Sequence, residues 1–275
     1  MSSIAPLAPE LSLANGVAMP RIGFGLFRVT PGAPARDVAA EALAAGYRLL
    51  DTAAIYRNEA EVGQAVAASG LPREQLFVTS KVWNDDQGYR PTLAAFERAQ
   101  RALGSIDLYL LHWPVPERRL AAWRALEDLY LDGRVRAIGV SNFMVHHLDE
   151  LLAAARVAPM VNQVELSPFL PQRELAAYCA RAGIALTAYS PLTKGHRLAH
   201  PLLVEEATRL GCSPAQLLLR WVLAQGHALV VKSNDARRMR ENLAAGDLAL
   251  DAAALMRLDA LDEGLVTGWD PRDAP

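Results

Sequence analysis

Residues Tyr47–Lys81 read YRLLDTAAIYRNEAEVGQAVAASGLPREQLFVTSK. The two ends of this stretch, Tyr47–Asp51 and Leu76–Lys81, are short apolar runs of the kind that form buried strands. Between them, Glu59–Ala68 carries apolar residues at helical spacing. Two strands that are joined by a single helix pair in parallel, so the stretch predicts one βαβ unit.

The same alternation of strand and helix patterns runs along the rest of the chain. Eight parallel units without a linker or a low-complexity tract predict an α/β fold, a closed (β/α)8 TIM barrel that occupies residues 1–275 as a single domain. The predicted strands are Ile22–Gly25, Tyr47–Asp51, Leu76–Lys81, Ile106–His112, Ala137–Ser141, Met160–Glu165, Ile184–Ser190 and Leu229–Lys232. The predicted helices are Ala35–Ala45, Glu59–Ala68, Pro91–Leu103, Ala121–Leu131, His147–Ala155, Gln172–Ala182, Pro214–Gln225 and Ala236–Ala244.

A hairpin is predicted before the first barrel strand. Residues Leu11–Met19 form two short alternating arms around Asn15-Gly16, a pair that favours a type I′ turn. We expect this hairpin to lie across the bottom of the barrel.

Charge and composition restrict the partners. Basic and acidic residues number 28 and 30, for a net charge of −2, which indicates no surface for nucleic acid or anionic lipid. No basic leader and no run of about 18 apolar residues is present, and the two cysteines lack C-x-x-C spacing. We therefore expect a soluble, cytoplasmic monomer with a small-molecule partner.

Polar residues stand at the ends of most predicted strands, where a barrel places its active site. Only three of the 28 basic residues are lysines, Lys81, Lys194 and Lys232, and two of these end a strand. A Lys, a His and an Asp that converge on one mouth cannot all stay buried as unpaired charges, so mutual pairing or a ligand is required. The strand-end residues are Asp51, Lys81, His112, Ser141, Asn142, Gln163, Glu165, Ser190, Lys232 and Ser233.

Three chemistries are compatible with such a mouth. Metal-dependent hydrolysis is disfavoured because the other histidines fall in predicted loops or helices, without H-x-H or H-E-x-x-H, and we predict no metal site. Schiff-base chemistry needs a desolvated lysine, either Lys81 or Lys232, but an adjacent Asp51 would keep Lys81 charged.

The third chemistry is proton transfer by Tyr56, which lies five residues after Asp51. The ordinary phenol pKa of about 10 is expected to be lowered by a neighbouring ammonium group, which would make the phenol a usable acid. Asp51, Tyr56, Lys81 and His112 would then form one acid relay.

Three long segments resemble the signatures of the aldo-keto reductase family. Residues 46–63 read GYRLLDTAAIYRNEAEVG, residues 126–143 read LEDLYLDGRVRAIGVSNF and residues 230–243 read VVKSNDARRMRENL. Within the family, residues 23–29 (GFGLFRV) and 82–85 (VWND) are most similar to the prokaryotic 2,5-diketo-D-gluconate reductase type. Three such segments in order are more specific than a short glycine motif.

The resemblance implies NADPH-dependent reduction of aldehydes and ketones to alcohols, with NADH as a weaker alternative. It implies that the family's four catalytic residues correspond to Asp51, Tyr56, Lys81 and His112, with Tyr56 as the general acid. It implies a cofactor bound across the barrel mouth without a Rossmann fold, in agreement with the absence of G-x-G-x-x-G from this chain. A substrate pocket is expected to be lined by Phe27, Trp83 and Trp113.

The resemblance also implies a set of cofactor contacts. Ser141, Asn142 and Gln163 would hold the carboxamide, while Tyr189 would stack on the nicotinamide ring. The loops after the seventh and eighth strands would bind phosphate, as barrel loops at these positions often do. Asp235 places a carboxylate near the expected 2′-phosphate, where it would weaken the preference for NADPH. The residues of these loops that we expect at the cofactor are Ser190, Leu192, Lys232, Ser233, Asn234, Arg238, Glu241 and Asn242.

One function from another class remains open. The fold also resembles the potassium-channel β subunit, so the chain would act as an NADPH-binding, redox-sensing regulatory subunit with little turnover. No obvious docking extension is present in the sequence, which favours the reductase.

Overall fold

The computed structural model describes Ser3–Ile4 and residues 9–273. Eight parallel strands close into a barrel, each paired with its neighbour along the chain, and the last pairs with the first. The predicted α/β barrel is therefore confirmed. Its strands are β4 (Ile22–Gly25), β5 (Leu49–Asp51), β6 (Phe77–Val82), β7 (Leu108–Leu111), β8 (Ala137–Ser141), β9 (Val161–Glu165), β10 (Ala185–Tyr189) and β11 (Ala228–Val231).

Ten α-helices are found in the described part of the chain. The eight predicted helices are all present, and their ends lie within two residues of the predicted ones. Two helices, α7 (Pro201–Leu210) and α10 (Ala252–Asp259), were not predicted. None of the helices in residues 3–4 and 9–273 is long and apolar enough to cross a membrane. The helices are α1 (Ala33–Ala45), α2 (Glu59–Ala68), α3 (Tyr89–Leu103), α4 (Arg119–Leu131), α5 (Val145–Ala154), α6 (Arg173–Arg181), α7 (Pro201–Leu210), α8 (Pro214–Ala224), α9 (Ala236–Leu243) and α10 (Ala252–Asp259).

Short strands outside the barrel form two small sheets. The strands β2 (Glu10–Ser12) and β3 (Ala18–Pro20) pair as the predicted antiparallel hairpin. The strands β1 (Ser3–Ile4) and β12 (Leu250–Asp251) form a second antiparallel pair. This second pair was not predicted, because its two partners are separated by almost the whole chain.

The hairpin turn differs from the predicted type. Gly16 N donates to Leu13 O at 2.8 Å, and Leu13 N donates to Val17 O at 2.9 Å. Gly16 has φ 82°, whereas Asn15 is not left-handed, so the type I′ prediction is wrong, because that turn needs positive φ at both central residues. The geometry is that of a three-residue loop with glycine at its left-handed position. Asn15 Nδ2 donates to Arg136 O at 2.9 Å, just before β8, which places the hairpin at the bottom of the barrel.

Two glycines of the signature segments allow the backbone to pack closely. A Cβ atom on Gly63 would lie 2.1 Å from Ala102 O, where α2 packs against α3. A Cβ atom on Gly139 would lie 2.4 Å from Val161 O of the neighbouring strand. No side chain fits at either distance, so these positions require glycine for packing.

Candidate active site

A buried ion pair lies at the C-terminal ends of two adjacent strands. Lys81 Nζ donates to Asp51 Oδ1 at 2.6 Å and to Thr52 O at 3.1 Å. Lys81 is 0 % exposed and Asp51 is 3 % exposed. Burial lowers the pKa of Lys81, and the field and hydrogen bond of Asp51 oppose that shift. The pairing expected from the sequence is therefore present.

A hydrogen-bonded network connects this pair to the opposite side of the barrel. Gln163 Nε2 donates to Asp51 Oδ2 at 2.8 Å, so both oxygens of the carboxylate have partners. Ser141 Oγ donates to Gln163 O at 2.8 Å, and Asn142 Nδ2 donates to Ser141 Oγ at 3.2 Å. The Tyr189 hydroxyl donates to Asn142 Oδ1 at 2.8 Å. The three residues expected at the carboxamide and Tyr189, which is expected at the nicotinamide ring, thus form one network that ends on Asp51.

Tyr56 stands at the end of a short 3₁₀ turn, Ala54–Tyr56, which follows β5. Lys81 Nζ lies 5.3 Å from the centroid of its ring. Burial raises the pKa of the Tyr56 phenol well above its usual value, and the charges of Asp51 and Tyr189 raise it further. The predicted lowering of the phenol pKa is wrong, because burial and the Asp51 carboxylate raise that pKa. The phenol consequently keeps its proton at neutral pH.

His112 follows β7 and is buried beside the tyrosine. The centroid of its ring lies 5.8 Å from that of Tyr56 and 5.2 Å from that of Trp83. Burial and the charge of Lys81 lower its pKa well below the usual value, so the imidazole is neutral. Within residues 3–4 and 9–273, His112 Nδ1 has no hydrogen-bond partner. In the same residues, no group of three or more His, Cys, Asp or Glu side chains can hold a metal ion.

Aromatic side chains surround the tyrosine and the histidine. The rings of Phe27 and Tyr56 have centroids 5.1 Å apart, and about half of Phe27 is exposed. Trp83 and Trp113 are half-buried. Trp269, which the sequence analysis did not select, contacts Trp113 with a centroid separation of 5.8 Å. Phe27, Tyr56, His112 and Trp83 therefore form one open aromatic cup of successive ring contacts. Trp113 and Trp269 form a separate ring pair.

The loops expected at the phosphates follow β10 and β11. Lys232 and Arg238 are exposed, and neither has an ion-pair partner in the described part of the chain. Ser233 is buried, and its Oγ accepts from Asp235 N at 3.0 Å. Of the other expected residues, Ser190, Leu192 and Glu241 are half-buried, Asn242 is buried and Asn234 is exposed.

Asp235 has a structural task that the sequence analysis did not assign. Its Oδ1 accepts from Arg238 N at 2.9 Å and caps the N-terminus of α9. This hydrogen bond and the adjacent backbone lower the pKa of Asp235, so the group is ionised at neutral pH. A carboxylate therefore occupies the helix end beside Lys232 and Arg238, as the sequence led us to expect.

Two further residues that the sequence analysis missed shape the turn between β5 and α2. Thr52 Oγ donates to Asn58 Oδ1 at 2.6 Å, and Asn58 Nδ2 donates to Leu26 O at 3.1 Å. Both side chains are completely buried. They fix the turn that carries Tyr56. The sequence did contain a signal for Asn58: it directly precedes the predicted start of α2, a position where asparagine is favoured.

The model of the Aldo/keto reductase family matches residues 21–263 of this chain. Glyoxal reductase of Bacillus subtilis (strain 168) is 48 % identical over 267 residues, which cover 96 % of this chain and 97 % of that protein. The span of the family match covers every strand of the barrel and contains the positions of Asp51, Tyr56, Lys81 and His112.

Solved structures share the fold over nearly the same length. MGS-M4, an aldo-keto reductase from a Medee basin deep-sea metagenome library, has a TM-score of 0.90 and 40 % identity, covering 93 % of this chain and 96 % of that one. An aldo-keto reductase of Bombyx mori, solved in complex with NADP, has a TM-score of 0.89 and 32 % identity, covering 98 % of this chain and 99 % of that one.

Proposed function

Because the chain belongs to the aldo-keto reductase family, we propose that it is an oxidoreductase that reduces aldehydes and ketones to alcohols with NADPH, using Tyr56 as the general acid. The observation that carries this proposal is the protonated Tyr56, which lies next to the Lys81–Asp51 pair and the neutral His112. We also propose that residues 1–275 form a single aldo-keto reductase barrel domain.

The residues present fit a nicotinamide dinucleotide phosphate. Gln163 Nε2 is engaged by Asp51, which leaves Gln163 Oε1 to accept from a carboxamide. Lys232 and Arg238 present exposed cationic groups to a 2′-phosphate, which charged donors bind well. We propose that Ser141, Asn142 and Gln163 hold the carboxamide, that Tyr189 stacks on the ring, and that the remaining cofactor contacts come from Ser190, Leu192, Lys232, Ser233, Asn234, Arg238, Glu241 and Asn242.

Bound NADPH supplies the hydride that forms the new C–H bond, and it is itself oxidised to NADP⁺. Tyr56 donates its hydroxyl proton to the carbonyl oxygen as negative charge develops there. The Lys81 ammonium stabilises the phenolate that remains, because opposite charges attract strongly in a water-poor site. Asp51 keeps Lys81 charged and in position through the bond at 2.6 Å.

His112 completes the proposed site. A neutral imidazole carries one N–H donor and one acceptor nitrogen. The donor can orient the carbonyl oxygen toward Tyr56, and the low pKa keeps a second positive charge away from Lys81. Phe27, Trp83 and Trp113 would exclude water on the substrate side and pack against the carbonyl compound.

Steady-state oxidation of NADPH, and separately of NADH, against aldehydes, α-diketones and keto-sugars tests the proposal. We expect turnover with NADPH and weaker turnover with NADH. Tight NADPH binding without turnover across the whole panel would contradict the proposal and favour a redox-sensing regulatory subunit. An adduct on Lys81 or Lys232 that is trapped by borohydride would favour Schiff-base chemistry.

A further inference from the structure

The proposed mechanism leaves one buried carboxylate at the mouth without a role. Glu165 ends β9 and is 4 % exposed. Its Oε1 accepts from the backbone N and the hydroxyl of Thr267, and its Oε2 accepts from Gly268 N at 3.2 Å. Three donors from two consecutive residues of the C-terminal segment therefore converge on one carboxylate.

The same segment is held from a second side. Lys194, in the loop after β10, donates from Nζ to Thr267 O. Arg197 in the same loop donates from Nε to Glu263 Oε1 at 2.6 Å. Leu265 N donates to Phe169 O at 3.0 Å, so the loop after β9 also contributes. The segment is thus fixed at several points between residues 263 and 268.

Trp269 is the residue that directly follows this anchored segment. Its side chain is 70 % exposed, and its ring contacts Trp113, which follows His112 in the sequence. The rings lie 5.8 Å apart at an interplanar angle of 53°, within the range in which aromatic rings attract one another. The exposed part of the Trp269 ring is therefore available to contact a molecule that binds beside Trp113.

We propose that Trp269 is a specificity-determining residue that favours carbonyl substrates bearing an aromatic ring, and that Glu165 is its positioning residue. An aromatic ring entering beside Trp113 gains contact with a second indole, whereas a short aliphatic chain does not reach it. Buried charge-assisted hydrogen bonds donated to the Glu165 carboxylate suit this task, because they are stronger than neutral ones. This inference rests on the proposed carbonyl reduction.

The first experiment compares KM and kcat for benzaldehyde and propanal, with NADPH, in four proteins. Trp269→Ala should raise KM for benzaldehyde by about three- to tenfold and change that for propanal less than about twofold. Trp269→Phe should lie between Trp269→Ala and the native protein. Met256→Ala removes a different exposed apolar side chain, which lies in α10, and should leave KM and kcat for both aldehydes unchanged. If the ratio of the two KM values, benzaldehyde to propanal, is the same in Trp269→Ala as in the native protein, the inference is wrong.

The second experiment tests whether Glu165 acts through Trp269. Glu165→Ala should reproduce the loss of preference for benzaldehyde. The double variant Glu165→Ala with Trp269→Ala should show the same KM values as Trp269→Ala alone, because the effects of residues that act as a unit are not additive. Glu165→Gln keeps an acceptor for Thr267 but places an amide donor opposite Gly268 N, so its effect should be intermediate. The Kd for NADPH should stay near the native value.

The outcomes separate this inference from the function on which it rests. If Glu165→Ala lowers the rates for both aldehydes equally, or is additive with Trp269→Ala, Glu165 has a general structural role and the positioning role is wrong. If the native protein reduces neither aldehyde although it binds NADPH, the proposed function fails and this inference fails with it.

Discussion

Lys81 Nζ lies 2.6 Å from Asp51 Oδ1, and neither side chain has appreciable contact with solvent. The other oxygen of Asp51 accepts from Gln163, which reaches it from the opposite side of the barrel. The pair thus connects the side chain expected to hold the cofactor amide with the ammonium that faces Tyr56. Removing either charge leaves its partner buried and poorly compensated.

Lys81→Met should therefore affect both stability and activity. We expect the free energy of unfolding to fall by about 3 kcal/mol, because the Asp51 carboxylate stays buried without its cation. Reduction of aldehydes should be lost. Urea denaturation and NADPH oxidation measure the two effects. The double variant Asp51→Asn with Lys81→Met should regain part of the stability but no activity.

Lys232→Met is the matched control for this experiment, because Lys232 is exposed. Its unfolding midpoint should equal that of the native protein. Equal midpoints for Lys81→Met and the native protein would show that the buried pair does not stabilise the fold.

The carboxylate at the start of α9 should limit the affinity for NADPH. Asp235→Asn keeps a side-chain oxygen to cap the helix but removes the negative charge. We expect the Kd for NADPH to fall by about two- to fivefold, with little change for NADH. Asp251→Asn changes the equivalent cap of α10 and should affect neither nucleotide. Fluorescence titration of the native protein and both variants measures the six constants. A parallel change of the Kd values for NADPH and NADH in Asp235→Asn would contradict the charge argument.

Arg238→Ala should have the opposite effect on nucleotide choice. Loss of a guanidinium that binds phosphate should weaken NADPH binding by about tenfold or more and NADH binding much less. The same titration applies. Equal losses for the two nucleotides would mean that Arg238 does not bind the 2′-phosphate.

Stability should decrease in mild acid because of His147. Its Nδ1 accepts from Met144 N at 3.1 Å, and burial, His146 and Arg119 lower its pKa to about 4. A histidine in the unfolded chain has a pKa near 6.5. The stabilisation is therefore complete above pH 6.5 and is lost as the pH falls toward 4, because the unfolded chain then binds the proton more readily.

His147→Gln tests this assignment, because glutamine at the same helix position can still accept from the Met144 N–H. Between pH 7 and pH 5, the native protein should lose about 1–2 kcal/mol more of its unfolding free energy than the variant. Urea denaturation at the two pH values measures the difference. Identical losses would show that His147 does not titrate in the folded state as described.

Local patterns in the sequence were enough to predict the barrel and the central polar cluster. Short apolar runs separated by helical periodicity define the strands, and strand ends must converge at the mouth of a barrel. Asp51, Lys81 and His112 could therefore be grouped before their distances were known. The helix α7 also had usable signals, because it begins at Pro201 and ends before a left-handed Gly211.

Features that depend on distant parts of the chain could not be predicted in the same way. Glu165 and Thr267 are 102 residues apart, and nothing local to either residue indicates the other. The direction of the Tyr56 pKa shift is set chiefly by burial, and the depth at which a side chain is buried depends on the packing of the whole barrel. The turn at Asn15-Gly16 was decided by the pairing register of β2 and β3, because the same two residues suit more than one turn.

The rate of aldehyde reduction by Tyr56→Phe, measured beside its Kd for NADPH, tests the central claim most directly. Tyr109→Phe is the matched control, because it removes the hydroxyl of a second tyrosine; that hydroxyl is buried and has no partner among the described residues. We expect kcat of Tyr56→Phe to fall by about two to four orders of magnitude while its Kd for NADPH stays near the native value. Tyr109→Phe should retain native turnover. Retention of most of the native rate by Tyr56→Phe would contradict the assignment of Tyr56 as the general acid.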